Sequence, residues 1–281
     1  MMLTFKEGFD EDYEAQSIVL GEKGLFDLLE KGKRWKLSSL LSSGGSAIFP
    51  HTYLELCGDQ IAAVVHGCLD SGADHVLLLG VIHTRENLAL HQARLLEAEG
   101  KPMAQGSYHG VFSHHPGEYS LIHFKTLWDL EVKRRGKKAP KLIVRYPCLV
   151  NGDPSRLPGI EELERFSKSG VVVMTGDLVH NGAAYSTDLH LEIGKGSESF
   201  AREGIEELFA HLNREESRLF IQKSIYYRND ARDSLTVMRH LLGKMIPSIL
   251  ELRIIDTSDL FAMNPVPSWV ASSLITLEKA P

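Results

Sequence analysis

Four short stretches of this chain, 46–49, 75–80, 142–146 and 171–175, are almost wholly apolar and bounded by turn-forming residues. A strand with one solvated face alternates apolar and polar residues, whereas a strand covered on both faces reads as a continuous apolar run. The runs therefore require a central, mostly parallel sheet flanked by helices on both faces, an α/β fold class. The sequence between them supplies the cover. Leu54, Cys57, Ile61, Val64, Val65 and Cys68 recur at spacings of three and four, which makes one apolar stripe on a crossover helix. Further helices are expected over about 118–135, 160–167, 199–212, 215–225 and 231–245. A closing strand at 269–277 is expected beside a short one near 252–255.

The chain has 281 residues, which suits one layered α/β domain, with 1–40 read as an N-terminal extension packed on it. Hydrophobic residues at 43% and charged residues at 24% are globular proportions, so disordered and fibrous classes are excluded. The formal charge of -6 opposes a phosphate backbone, so nucleic acid is not an expected partner. The first residues lack the basic start and apolar run of a secretion signal, and no apolar stretch approaches the ~20 residues that cross a bilayer. A cytoplasmic location without membrane contact is expected. Cys57, Cys68 and Cys148 form no CxxC pair, and the first two share the helix stripe, so they read as core thiols. The basic run 133–138 places cations at a helix C-terminus before Gly136, which is dipole and capping chemistry.

Histidine positions carry the functional signal. His51 follows Ile48-Phe49-Pro50, His83 follows the run that ends at Ile82, and His180 follows Val172 to Asp177. Each lies just past the carboxyl end of an expected strand, where the ligand crevice of an open parallel sheet forms. Three imidazoles from distant sequence can share one pocket there, as metal ligands or as a general base. Asp177 can orient an imidazole or cap the following turn. His114 and His115, before Pro116-Gly117, offer an imidazole to substrate or form a solvated turn. Residues 181–199, rich in Gly and including Tyr185, read either as a flap over the site or as a surface loop.

Ala47-Ile48-Phe49-Pro50-His51, the helix with Gly58, and the strand closing on Gly80-Val81-Ile82-His83 resemble the opening of Memo-like proteins. Thr175-Gly176-Asp177-Leu178-Val179-His180 is similar to that family's Ser-Asp-x-x-His segment, and 272–277 is similar to its closing strand. The resemblance spans about 46–277 and implies the fold of class III extradiol dioxygenases, non-haem iron enzymes that open catechol rings. It implies His51 and His83 as metal ligands and His180 as the acid/base residue, with Asp177 beside it. The implied cofactor is a divalent metal, Fe(II) first, with Zn or Cu as alternatives. The sequence departs from the family where a Cys-Gly pair is usual: Arg228-Asn229-Asp230-Ala231 stands there, with no cysteine nearby. Asp230 or Asn229 could replace that ligand, or neither; Asp230 with Asp233 also reads as the acidic start of a helix. The Glu-His-Ser segment is altered to Glu118-Tyr119-Ser120, which keeps Glu118, like Tyr185, His114, His115 and Asn229, as a candidate substrate contact.

Three functions follow from these residues. The first is a metal-dependent oxidoreductase acting on a small molecule, the second a non-catalytic binding or regulatory protein with a vestigial metal pocket, and the third a metal-assisted hydrolase. No HExxH, GxSxG, Walker A or complete GxGxxG occurs, so the common protease, serine-hydrolase and nucleotide sites have no support. A small-molecule ligand is the expected partner, and oligomerisation is left open.

Overall fold

Alternation within the apolar runs divides the core into two layers. Ala47, Phe49, Val76, Leu78, Val171 and Val173 point to one face of the sheet, and Ile48, Leu77, Leu79, Val172 and Met174 to the other. The computed structural model describes residues 9–83, 109–114, 118–149, 153–260 and 267–280. On the first face pack α1 (Phe9–Gly32), α2 (Ser38–Ser42), α3 (Leu54–Leu69) and α4 (Ile122–Arg135). On the second pack α5 (Ile160–Ser167), α6 (Lys195–Asn213), α7 (Ser217–Tyr226) and α8 (Arg232–Leu242). Leu25, Leu28 and Leu29 of α1 belong to the same cluster as Ile61 and Val65 of α3, so the segment read as an extension forms part of the core layer.

The strands are β1 (Ser46–Phe49), β2 (His75–Leu79), β3 (Gly110–Phe112), β4 (Lys141–Cys148), β5 (Val171–Thr175), β6 (His180–Gly182), β7 (Met245–Asp256) and β8 (Ser268–Lys279). Their order is β3-β4-β2-β5-β1-β8-β6, with β7 also on β8. The four apolar runs make the parallel centre: β2 pairs with β4 and β5, and β1 with β5, although β4 is only partly covered. The remaining pairings are antiparallel, so the sheet is mixed and not mostly parallel as the runs had implied. The physical reason is connection length. Only residues 257–267 separate β7 from β8, too few for the crossover that a parallel return needs, so they form an antiparallel ribbon and β8 runs antiparallel to β1.

Three helix boundaries also differ from expectation by three or four residues, one of them the start of α6 at Lys195 where 199 was expected. The helix expected from 118 begins at Ile122, and the one expected to reach 245 stops at Leu242, where Gly243 adopts φ 82° and β7 follows. Arg134 and Arg135 of the basic run pair with Glu131, and Gly136 closes α4 in the left-handed conformation. All three cysteines are buried, and none is in a disulfide. Among the described residues no helix is long and apolar enough to cross a membrane.

Candidate metal centre

The strand order places β5 between β2 and β1, so the chain leaving each of the three emerges side by side at one end of the sheet. His51 follows β1, His83 follows β2, and Asp177 and His180 follow β5, with His180 opening the short strand β6 against Val270. The fourth segment is the turn between α7 and α8, which brings Asp230 to the cluster. Gly176 permits that approach: a Cβ there would lie 2.2 Å from the Cβ of Ala231, so only glycine lets the turn close on Asp177. Asp177 N then donates to Asp230 Oδ1 at 3.0 Å.

Hydrogen bonds fix which ring nitrogens face inward. Thr175 Oγ1 donates to Phe49 O at 3.0 Å, so at 3.1 Å it accepts from His51 Nδ1–H, which leaves the lone pair of His51 on Nε2. Glu118 accepts from His83 Nδ1 at 3.0 Å, and from the amides of His83 and Ser120 at 2.8 Å each, which leaves the lone pair of His83 on Nε2. The two Nε2 atoms are 3.3 Å apart, and Asp230 Oδ2 lies 3.3 Å from the first and 3.7 Å from the second. Three donors about 3.4 Å apart suit a cation held at about 2.0–2.2 Å from each. Asp230 Oδ2 is buried and makes no hydrogen bond of normal geometry, an arrangement a positive charge among the donors would satisfy. His51, His83 and Asp230 thus form a donor set that could hold a metal ion.

The electrostatics carry the same imprint. Burial opposes charge on His51, but the carboxylates of Asp177 and Asp230 outweigh it and raise its pKa. Burial likewise opposes charge on His83, and Glu118 with Asp230 still lifts it to about 9. Burial works against ionised Glu118, yet His83 and the two amides hold it down to about 2. Asp230, against its burial, is held far below the usual carboxylate range by His51, His83 and His180. Burial pushes Asp177 up to about 6, with the charge of His51 pulling the other way. In the absence of a metal, protons held on His51 and His83 balance the charge of the ionised Glu118 and Asp230.

His180 stands on the far side of Asp230, its Nε2 3.7 Å from Oδ2, its ring 4.7 Å from that of Tyr185. Tyr185 Oη shares a 2.7 Å hydrogen bond with Thr257 Oγ1, so the ring over His180 is anchored at its far end. Other candidates fall elsewhere. Asn229 accepts from Ala231 N at 2.9 Å and donates to Ser224, so both ends of its side-chain amide are engaged within the turn before α8. Asp230 in turn leaves the α8 amides alone, contrary to a helix-capping role. Glu118 orients His83 and is not free for substrate; it also explains why α4 starts late, since 118–121 are drawn toward His83. His114 is exposed and has no described contact with the cluster, and His115 lies outside the described residues. The loop after Gly182 is tied down by Asn181, which bonds Leu189 O and Leu191 N.

Three contributors were not among the candidate site residues. Thr175 sets the His51 tautomer, Thr52 donates to Asp177 Oδ2 at 2.8 Å, and Tyr119 stacks on His83 at 4.3 Å between ring centroids. Thr175 shared the one available signal, a polar residue closing an apolar strand beside the histidines.

Fold and donor set together define an α/β protein with a buried His/Asp cluster able to hold a metal ion. No protein-family model and no curated protein matches the chain. Among solved structures, one described as an uncharacterized protein JW3007 from Escherichia coli K12 aligns at 12% identity over 83% of this chain and 98% of that one, with a TM-score of 0.37.

Proposed function

We propose that this chain is a Memo-like metal-binding protein that holds Fe(II) on His51, His83 and Asp230 and serves an oxidoreductase reaction of the extradiol dioxygenase type on a small molecule. The observation that carries the reading is the pair of lone-pair nitrogens 3.3 Å apart, each ring fixed through its other nitrogen, with an unbonded carboxylate oxygen beside them. Two imidazoles and one carboxylate are the facial set of non-haem iron oxygenases, and Fe(II) bound there supplies adjacent positions for substrate and dioxygen. Asp230 makes the departure at Arg228-Asn229-Asp230-Ala231 a change of ligand and not its loss, which favours a working centre over a vestigial pocket.

The chain's own residues divide the remaining work. Glu118 and Thr175 hold the two imidazoles in the tautomer that binds metal. Tyr119 restrains the His83 ring by stacking. His180 takes and returns a substrate hydroxyl proton through Nε2, steadied by the anchored Tyr185 ring.

Anaerobic loading with Fe(II), followed by oxygen-electrode assays over a panel of catechols, tests the reading. With one equivalent of Fe(II) loaded per chain, one dioxygen consumed per catechol opened is expected, with iron binding and dioxygen uptake both lost in His51→Ala and His83→Ala. In His180→Ala the iron should stay while the rate drops about 10²- to 10⁴-fold. Stoichiometric metal with no dioxygen uptake on any catechol overturns the oxidoreductase assignment; ester turnover with zinc bound would replace it by the hydrolase, and no turnover of either kind by a binding role.

A further inference from the structure

Asp230 serves two sets of donors. His51 and His83 lie with it in one, and Asp177 and His180 lie with it in another, the ligand atoms of each set falling within 4.8 Å of one another. Asp230 Oδ2 is 3.7 Å from His180 Nε2, the same distance as from His83 Nε2. Asp177 is 3% exposed and His180 7%, so both are inside the protein. Each carboxylate is anchored by one oxygen and leaves the other without a hydrogen bond. Thr52 Oγ1 occupies Asp177 Oδ2, and Asp177 N occupies Asp230 Oδ1. Asp177 Oδ1 and Asp230 Oδ2 are buried without a hydrogen-bond partner. An ion at the first position accounts for Asp230 Oδ2 and assigns nothing to Asp177 Oδ1, and a bare buried carboxylate oxygen is costly.

Charge points the same way. Glu118, Asp177 and Asp230 carry three negative charges when ionised, and among the described residues their ion-pair partners are histidines alone. One divalent ion on neutral imidazoles leaves a net charge of about minus one, and two leave about plus one, a balance that draws an anionic ligand to the centre.

We propose that Asp177, His180 and Asp230 form a second divalent-cation position, with Asp230 Oδ2 bridging two ions. The proposal rests on the first position formed by His51, His83 and Asp230. A single bridging oxygen suits the separation of about 3.5–4 Å found in two-metal sites. Imidazole and carboxylate without thiolate select Mn(II), Fe(II) or Zn(II) over soft Cu(I). With the second ion bound, His180 is a ligand and no longer carries protons, so excess divalent metal inhibits any reaction that uses it as an acid or base.

Mn(II) is the probe, added anaerobically to the full chain and followed by native mass spectrometry and electron paramagnetic resonance. Two ions per chain with an exchange-coupled spectrum are expected. Asp177→Asn and His180→Ala should each hold one ion with an uncoupled spectrum, and retention of that ion together with an unchanged far-UV circular dichroism spectrum shows that they fold. His83→Ala should lose the first ion. A single ion that Asp177→Asn and His180→Ala leave in place, while His83→Ala removes it, overturns the second position and keeps the first. A second ion retained by both of those variants lies elsewhere and also overturns it. No bound ion in the wild type removes both positions.

Discussion

A neutral imidazole aims only one nitrogen at a cation, and the partner of its other nitrogen decides which. For His83 that partner is Glu118, and the carboxylate also makes the ring a stronger donor. Glu118→Gln keeps the shape and removes the charge, so metal affinity should fall about 10- to 100-fold in a chelator-competition titration. Unchanged affinity would remove Glu118 from the support of His83. The same pair sets a pH dependence. In the metal-free protein His83 is raised from 6.5 to about 9, so its contribution is complete below 6.5 and is lost as pH rises through 9. That contribution is at most about 3 kcal/mol. Glu118, lowered to about 2, contributes above its usual range and loses its contribution as pH falls. Urea midpoints in chelator should therefore decline from pH 6.5 to 9, whereas metal affinity should rise over that window because binding displaces the His83 proton. A flat metal-free profile would show that the ion pair contributes nothing to folding. His51 and His83 were legible because each ends an apolar run; Thr175 closes such a run too, but nothing in the sequence marked its contact with His51, because threonine in a strand also reads as a β-former. Glu118 was noticed as a candidate substrate contact, but its bond to His83 was not foreseen, since it depends on a fold contact 35 residues away.

At the level of elements, the sequence exposed what is covered on both faces and missed what is half covered. β1, β2 and β5 appear as continuous runs, and each begins within one residue of its expected start. β7, with exposed Ile246 and Leu250, carries a broken pattern of burial, so only its last part was recognisable as strand. β3 and β6 are three residues each, too short for any period to show. Asp230 and Asn229 could not be separated by helix frame, because both sit in the turn before α8, whose close approach over Gly176 and bond from Asp177 N to Asp230 are tertiary contacts. Gly176→Ala tests that contact. The added methyl must push Ala231 aside, and overpacking of this kind costs typically about 1–3 kcal/mol. Thermal unfolding should show the loss, and metal affinity should fall with it because Asp230 is carried away from His51. Lost stability with undiminished affinity would mean that Asp230 contributes no binding energy.

Across the whole molecule, the donors come from four separate segments: the chain after β1, after β2, after β5 and before α8. In the unfolded chain residues 51, 83, 177 and 230 have no common geometry, so a metal that uses them binds the folded state alone. Such a ligand stabilises by mass action, about 2.7 kcal/mol at one hundred times its dissociation constant. For a chain of 281 residues, an unfolding entropy of about 2 cal/mol/K per residue converts this into a rise of about 5 °C in Tm. Differential scanning calorimetry with Fe(II) under argon, or with Zn(II) in air, should show that rise in the wild type and none in the His51→Ala/His83→Ala double variant. The double variant also removes two imidazoles that the buried carboxylates otherwise keep protonated, so its metal-free Tm should itself fall at pH 6.5. An equal rise in wild type and double variant would place the stabilising ion away from the strand ends. A rise confined to the wild type makes the metal the tie that joins the parallel centre of the sheet to the α7–α8 turn.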